Sequence, residues 1–357
     1  MKPLPASVAG TLHRWYKKAE QREHRLLYLF IELTRLCNLT CRHCGSDCSS
    51  GPEEVSSLST NEWCSLFESV DASFSPAPTL VLTGGEPIIH PDFETVIRTI
   101  DQLGLHWGLV TNGYALTERV MRILEENHCL SITVSVDGLK DDHDWLRGRA
   151  GVFDRTTRAL DLIAASRIPL RDAVTCVNPR NQERLDAIAR FLLSHSMPAW
   201  RLFRIFPAGR AHADDELLLS ADDTRRMIDW VREKRPILSK EGIAVQLSCE
   251  GWLPFAVDRQ VRDHPFFCRA GVNIASVLHD GTVTGCSNND PRFHVGNIRS
   301  EPLDELWEKK FGLFRDRSWV KKTSCGSCRY VGSCEGGSIH LWRNDLRKPD
   351  FCYAARL

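Results

Sequence analysis

Three cysteines, Cys37, Cys41 and Cys44, lie close together in the spacing C-x3-C-x2-C. A closed structural zinc site has four ligands, and a four-iron cluster that only carries electrons is also held by four protein thiolates. Three thiolates on one loop would leave one metal position open for a ligand or a substrate. The spacing therefore predicts a metal centre that does chemistry, while a zinc loop and three unrelated thiols are the alternatives.

A second motif, Gly84-Gly-Glu-Pro, ends the next predicted strand along the chain. Taken alone, two glycines at a strand end indicate either a tight turn or a backbone that approaches a ligand closely. The two motifs in this order resemble the signatures of the radical S-adenosylmethionine (SAM) enzymes. The resemblance implies a [4Fe-4S] cluster on the three cysteines, whose open iron binds SAM and cleaves it to a 5′-deoxyadenosyl radical. It also implies that Gly84, Gly85 and Glu86 hold the amino group of SAM.

Three further residues follow later predicted strands and resemble SAM contacts of the same family. Asn112 lies in an Asn-Gly pair, which is alternatively a plain turn. Ser135 and Arg147 are twelve residues apart, and this resembles the serine and arginine that hold the SAM carboxylate in peptide-modifying members. A guanidinium group suits a carboxylate, but Arg147 could instead pair with Asp141 or Asp144.

The elements that position these motifs alternate between short apolar runs and longer helical patterns. Predicted strands are 27–34, 79–83, 106–111, 130–137, 170–178 and 199–206, and predicted helices are 60–70, 93–103, 117–126, 153–166, 182–195 and 222–234. Six strand–helix units in series predict parallel strands joined by right-handed crossovers, with sites at the carboxyl ends of the strands. We predict an α/β fold in three parts: an N-terminal helical extension (1–26), an incomplete (β/α)6 TIM-like barrel (27–236) and a small, loop-rich iron–sulfur domain (237–357).

The C-terminal region is rich in cysteine and glycine, and its pattern predicts hairpins and loops with little apolar core of their own. Its cysteines follow the order Cys268-x12-Gly281-x4-Cys286, then Cys325-x2-Cys328-x5-Cys334, then Cys352. This order resembles the SPASM domain, which holds auxiliary iron–sulfur clusters in radical SAM enzymes that modify peptides. The resemblance implies a distal cluster on Cys325, Cys328, Cys334 and Cys352. A zinc ribbon on the same four cysteines is the alternative.

One position departs from the SPASM pattern, because Ser338 stands where the central run has its fourth cysteine. The resemblance implies an inner cluster on Cys268, Cys286 and that missing cysteine. This cluster is then open, smaller, ligated by Ser338 or another oxygen, or absent. Cys249 is the one candidate for a further ligand, and it lies too early in the chain to match the pattern. We therefore predict one or two auxiliary clusters.

The composition bears on partners and location. Lys and Arg together number 46, as do Asp and Glu, so no overall field attracts nucleic acid or an anionic membrane. The N-terminus lacks an apolar signal segment, and no apolar run approaches the length of a membrane helix. Without export, 14 cysteines indicate metal ligands rather than disulfides. We expect a cytoplasmic protein in a reducing, anaerobic setting, with no nucleic acid and no membrane as partner.

These features predict a radical SAM oxidoreductase or maturase. We expect the adenosyl radical to abstract hydrogen from a peptide or small protein, leading to oxidation or a cross-link, with an electron donor such as flavodoxin or ferredoxin. A radical SAM enzyme that modifies a small molecule or a tetrapyrrole is the first alternative, since some haem-pathway relatives share this layout. A non-catalytic iron–sulfur electron-transfer protein is a remote one, because it leaves Gly84–Glu86, Ser135 and Arg147 unexplained. The sequence identifies no catalytic acid or base.

Overall fold

The computed structural model describes residues 6–48, 51, 56–213, 215–248, 251–343 and 345–353; Cys249 lies outside them. The strands are β1 (Tyr28–Thr34), β2 (Thr79–Gly84), β3 (Trp107–Thr111), β4 (Ser131–Ser135), β5 (Leu170–Val177), β6 (Ala199–Arg204), β7 (Ala244–Leu247), β8 (Ile274–Val277), β9 (Thr282–Thr284) and β10 (His294–Asn297). The α-helices are α1 (Ala6–Glu23), α2 (Thr60–Ser73), α3 (Phe93–Gln102), α4 (Glu118–Glu126), α5 (Lys140–Arg147), α6 (Val152–Ala165), α7 (Leu185–Ser194), α8 (Ala221–Glu241), α9 (Phe255–Val261), α10 (Leu303–Lys310), α11 (Gly312–Arg315) and α12 (Val331–Cys334).

The described strands form one ten-stranded sheet in the order β10-β9-β8-β1-β2-β3-β4-β5-β6-β7. From β1 to β7 the strands are parallel and each pairs with the next along the chain. The helices between them are the crossovers that parallel strands need. Because β7 and β10 are the two edges, the sheet does not close on itself. This confirms the predicted α/β fold with an incomplete TIM-like barrel.

Helix starts in the barrel follow from local sequence. Ser59 caps α2 through a capping box, because its side chain accepts from the Glu62 N–H while the Glu62 carboxylate accepts from the Ser59 N–H. Thr117 caps α4 by accepting from the Val120 N–H. The buried side of α2 then carries Trp63, Leu66, Phe67 and Val70. Because such caps involve residues only a few positions apart, the starts of these helices can be predicted from the sequence.

Two elements of the parallel-stranded part were not predicted from the sequence. Helix α5 is polar, with the sequence KDDHDWLR, so it lacks the apolar periodicity on which the prediction depends. It ends at Gly148, which has a left-handed conformation typical of a helix C-terminus. Helix α8 continues through Pro236 to Glu241, and β7 then adds a seventh parallel strand. The predicted boundary at residue 236 thus falls inside a helix, and the three-part division stays a prediction.

The C-terminal region joins the barrel sheet instead of standing beside it. Strand β8 pairs in parallel with β1, and β9 and β10 continue outward as antiparallel strands. Several aromatic side chains of this region are almost completely buried and belong to one hydrophobic core with the barrel residues: Trp307, Phe311, Phe314 and Trp342. No helix in the described part of the chain has the length and apolar character needed to cross a membrane.

Candidate active site

The loop that carries the three clustered cysteines follows β1, at the carboxyl end of the parallel strands. Cys37 and Cys41 are each 7% exposed. Arg210, which follows β6, holds this loop in place: its Nε donates to the Cys41 carbonyl at 2.7 Å and its Nη1 to the Cys48 carbonyl at 2.8 Å. Gly209 lies against the same loop, since a Cβ there would be 2.3 Å from the Cys44 carbonyl oxygen. A residue that follows β6 therefore fixes the backbone of the cysteine loop that follows β1.

The two glycines after β2 pack directly on the start of the cysteine loop. A Cβ on Gly84 would lie 2.3 Å from the Thr34 carbonyl oxygen, and one on Gly85 would lie 2.0 Å from the Leu36 carbonyl oxygen. The Gly85 N–H donates to Thr34 at 2.8 Å and the Glu86 N–H donates to Leu36 at 2.9 Å. The glycines are thus needed for contact between two protein backbones. Whether they also hold the amino group of SAM stays a prediction.

Glu86 is completely buried beneath the same turn. Its carboxylate accepts from the Thr111 hydroxyl at 2.8 Å and from the Asn112 N–H at 2.7 Å, both at the end of β3. Burial raises the pKa of Glu86 to about 7 against the lowering effect of these hydrogen bonds. Asn112 in turn donates from Nδ2 to the Asn38 side chain at 2.8 Å and lies 3.8 Å from the Cys37 sulfur. Glu86 therefore orients a residue that touches a cysteine of the loop.

Arg147, at the end of α5, is also buried next to the cysteine loop. Its Nη2 lies 2.5 Å from the Asp137 carboxylate and its Nη1 lies 3.7 Å from the Cys41 sulfur. The alternative that Arg147 pairs with Asp141 or Asp144 is wrong, since Asp144 instead accepts from two N–H groups at the start of α6. Ser135, the last residue of β4, is half-buried. A role of Ser135 and Arg147 in binding the SAM carboxylate stays a prediction.

Two histidines, the half-buried His43 and the fully buried His143, complete the surroundings of Asp137. Burial lowers the pKa of His43 and of His143 to about 4, so both rings are neutral at pH 7. The Asp137 N–H donates to Nδ1 of His143 at 3.0 Å, and Nε2 of that ring lies 3.3 Å from the Thr156 hydroxyl. His43, Asp137 and Cys176 place ligand-type atoms within 4.8 Å of one another. Because Arg147 already supplies the positive charge beside Asp137, we assign no metal ion to this group.

The positions of the cysteine sulfurs bear on the type of metal centre. Among the described residues, no three cysteine sulfurs lie within 4.8 Å of one another. A tetrahedral zinc ion with Zn–S bonds near 2.3 Å would hold its sulfurs about 3.8 Å apart. In this structure the described sulfurs are therefore not gathered as the ligands of one tetrahedral zinc ion, and the ligand sets stay predictions. The side-chain N–H groups of Asn112 and Arg147 beside the Cys37 and Cys41 sulfurs are suitable neighbours for thiolates.

The four distal cysteines, Cys325, Cys328, Cys334 and Cys352, form one neighbourhood in the structure. Cys334 interacts electrostatically with Cys325 and Cys352, and Cys325 interacts with Cys328. Burial raises the pKa of Cys334 to about 12, so this thiol would ionise at neutral pH only with a metal ion bound to it. The structure thus brings the complete predicted set together.

The inner cysteines flank the β8–β9 hairpin. Burial raises the pKa of the Cys268 thiol, but the neighbouring Arg317 guanidinium and hydrogen bonds from the Ile339 and Ala270 backbone together outweigh that effect, so the pKa lies below its ordinary value. Nη1 of Arg317 also donates to the Gly337 carbonyl at 2.6 Å, next to Ser338, which is 1% exposed. Cys286 interacts electrostatically with Arg343. Ser338 and Cys268 therefore share one buried region, whose arginines the sequence did not indicate.

The inner cysteine segment also lies close to the first cysteine loop. A Cβ on Gly45, directly after Cys44, would be 3.5 Å from the Asn288 side chain, two residues after Cys286. Phe206 contacts the same position at 3.9 Å and packs on the buried His340 ring, with 4.7 Å between the ring centroids. The first and the inner cysteine groups are therefore neighbours across a short, partly aromatic boundary.

Comparisons with known proteins agree with this arrangement. The Radical SAM superfamily model matches residues 31–192, and the SPASM iron–sulfur cluster-binding domain model matches residues 268–330. The AdoMet-dependent heme synthase of Methanosarcina barkeri is 30% identical over 329 residues, covering 85% of this chain and 89% of the relative. The mycofactocin maturase MftC of Mycobacterium ulcerans is 30% identical over 334 residues, covering 90% and 85%.

Among solved structures, Streptococcus suis SuiB bound to S-adenosylmethionine superposes with a TM-score of 0.71 at 16% identity, covering 98% of this chain and 83% of that one. The chain belongs to the radical SAM superfamily and carries a C-terminal SPASM-type domain. It is an enzyme whose cofactors are a SAM-binding [4Fe-4S] cluster, SAM and auxiliary iron–sulfur. The predicted family, fold class and cofactors are thereby confirmed, while the number of auxiliary clusters and the individual ligands stay predictions.

Proposed function

We propose that this enzyme matures a peptide or small protein by radical chemistry. The closeness of the first cysteine loop to the inner cysteine segment carries the proposal, since a Cβ added to Gly45 would lie 3.5 Å from the Asn288 side chain. It supports a substrate position between the SAM site on the first loop, where the hydrogen atom is abstracted, and the auxiliary group, which would take up the remaining electron. When bound, the cluster and SAM supply the adenosyl radical that abstracts the hydrogen, and the auxiliary group takes up the electron. The product is an oxidised or cross-linked residue.

The side chains around the first loop have separate parts in this proposal. Cys37, Cys41 and Cys44 hold the SAM-binding cluster. Asn112 and Arg147 orient the thiolates through N–H groups at 3.8 and 3.7 Å from two of the sulfurs. The SAM carboxylate is bound by Arg147 and by the Ser135 hydroxyl at the end of β4. The charge of Arg147 is shared between Asp137 and Cys41. Gly84, Gly85 and Glu86 bind the amino group of SAM. They do so through those of their hydrogen-bonding groups that do not already contact the cysteine loop.

The distal group belongs to Cys325, Cys328, Cys334 and Cys352, and the inner group to Cys268 and Cys286. Arg317 neighbours Cys268 and bonds to Gly337, the residue before Ser338, and this supports Ser338 as an oxygen ligand of the inner group. Without that ligand one iron of the inner group would stay open. The cytoplasm is the compartment that suits a chain with 14 cysteines of which most would be metal ligands.

A tetrapyrrole substrate is the second candidate, and a specific observation favours it. A heme synthase is as similar in sequence as the peptide maturase, with 89% of its length covered. Arg317 and Arg343, near the inner cysteines, carry buried nitrogens without a hydrogen-bond partner in the described part of the chain. Guanidinium groups of this kind suit the carboxylates of a tetrapyrrole as well as those of a peptide.

Anaerobic incubation distinguishes the candidates. The reconstituted holoenzyme is incubated with dithionite, SAM and either the peptides encoded next to its gene or Fe-coproporphyrin III. A mass change in a peptide, together with 5′-deoxyadenosine, supports peptide maturation. A mass change in the tetrapyrrole alone replaces it with the second candidate. Absence of 5′-deoxyadenosine with every substrate, and of any spectroscopic response to SAM, contradicts both. The Cys37→Ala/Cys41→Ala/Cys44→Ala variant is the control, because it retains the auxiliary cysteines.

A further inference from the structure

Helix α1 and the distal cysteine loop form an open groove of about 820 Å³ on the protein surface. Its lining is Thr11, Arg14, Trp15, Lys18, Ala19, Arg22, Arg329, Gly332 and Ser333. The last three of these lie between Cys328 and Cys334. A partner seated in this groove would therefore touch the backbone that carries the distal cysteines.

The groove is positively charged and has no acidic residue in its lining. Arg14, Lys18, Arg22 and Arg329 are exposed, and no described carboxylate forms an ion pair with any of them. This differs from the chain as a whole, whose formal net charge is zero. Four uncompensated cations on one face attract an acidic partner and speed its association.

The groove also has an exposed aromatic anchor on a firmly held helix. Trp15 is 77% exposed, and Leu12, one turn away, is 54% exposed. The opposite side of α1 is fixed to the distal loop, since Lys17 donates to the Ser333 carbonyl at 3.1 Å and pairs with Glu335 at 2.8 Å. Gln21 donates to the same carboxylate at 3.1 Å. Exposed aromatic and arginine side chains on a rigid element are typical of binding surfaces.

We propose that this groove docks a small acidic one-electron carrier of the ferredoxin type. The inference rests on the proposed function, in which the auxiliary iron–sulfur takes an electron from the substrate and must pass it on. One electron moves from the group that the distal cysteines would hold to the oxidised carrier, and no bond forms or breaks. The position beside Cys328 and Cys334 favours a redox partner over an acidic peptide, because electron transfer needs this closeness and peptide binding does not.

Calorimetric titration of the holoenzyme with an acidic ferredoxin tests the proposal without any turnover. We expect Arg14→Glu/Lys18→Glu to weaken binding about tenfold or more, and added salt to weaken binding to the unmodified enzyme. Trp15→Ala should weaken binding with less change in its salt dependence. The matched control is Arg98→Glu/Arg122→Glu, which makes the same charge change at exposed positions of α3 and α4 and should leave affinity unchanged.

Equal weakening by both double variants, or no binding of ferredoxin to the unmodified holoenzyme at low salt, would overturn the docking site. A second titration uses an oligoglutamate peptide and a short DNA duplex as competing anions. If either binds more tightly than ferredoxin, the groove serves a different class of partner and the proposal is wrong. Because binding is measured without SAM or substrate, these outcomes do not depend on whether the proposed peptide activity is found.

Discussion

Substitution of Gly85 by alanine should remove the SAM-binding cluster selectively. A Cβ at this position would lie 2.0 Å from the Leu36 carbonyl oxygen and 2.6 Å from its carbon. Real Cβ contacts are almost never shorter than 3.0 Å, so the two backbones must separate by about 1 Å or more. No flexible side chain is available to move aside. The segment that must move leads directly into Cys37.

The separation would break two backbone hydrogen bonds, from Gly85 to Thr34 at 2.8 Å and from Glu86 to Leu36 at 2.9 Å. Each buried polar group left without a partner costs about 1–3 kcal/mol, so we expect a destabilisation of about 2–6 kcal/mol. The loss falls on the cysteine loop, while the distal cysteines are held by other segments. Anaerobic reconstitution with iron and sulfide counting should therefore show a loss of about four irons per chain and no 5′-deoxyadenosine.

Two alanine variants serve as controls. Gly10→Ala, in helix α1, meets no atom within 4 Å and should keep the full iron content. Gly108→Ala, in β3, would place its Cβ 2.0 Å from the Ser131 hydroxyl, so it should lower stability without removing the SAM-binding cluster. A Gly85→Ala enzyme with normal iron content and normal thermal stability would refute the reasoning. Equal iron loss in Gly108→Ala would show that general instability is the cause.

Three further predictions concern other parts of the site. Ser338→Cys should raise the iron content of the reconstituted enzyme, because it restores the missing thiolate; an unchanged iron count would show that this position does not limit the inner cluster. Asp137→Asn leaves the buried Arg147 charge unpaired, so urea denaturation should show a loss of about 3–5 kcal/mol, and a loss below about 1 kcal/mol would contradict the ion pair. His143 has a pKa of about 4 when folded against 6.5 otherwise, so the unfolded chain binds the proton first as pH falls. Stability should therefore fall between about pH 6.5 and 4, with up to about 1.4 kcal/mol per pH unit from this ring. His43 is shifted in the same way, so His143→Gln should reduce the slope by about that amount without abolishing it, and an unchanged slope would contradict the assignment.

Most of the barrel could be predicted from the sequence, because its strands are short apolar runs and its helices begin at recognisable caps. The elements that were missed lack those signals. Helix α5 is too polar to show an apolar stripe, and β7 follows a helix that contains a proline. The joining of β8 to β1 could not be predicted, since the paired residues are more than 240 positions apart and nothing local specifies their register.

The sequence alone determined the chemistry of this protein, because metal ligands on one loop are read from residue type and spacing over a few positions. The spacing of Cys37, Cys41 and Cys44 predicts an open metal centre without any knowledge of the fold. Only the tertiary structure decided what each neighbouring side chain contacts. Glu86 bonds to the end of β3, and Arg147 pairs with Asp137 rather than with an acid on its own helix. Those contacts depend on how the ends of separate strands pack around a buried space. A buried charge there needs a partner, and that partner comes from a residue distant in the sequence.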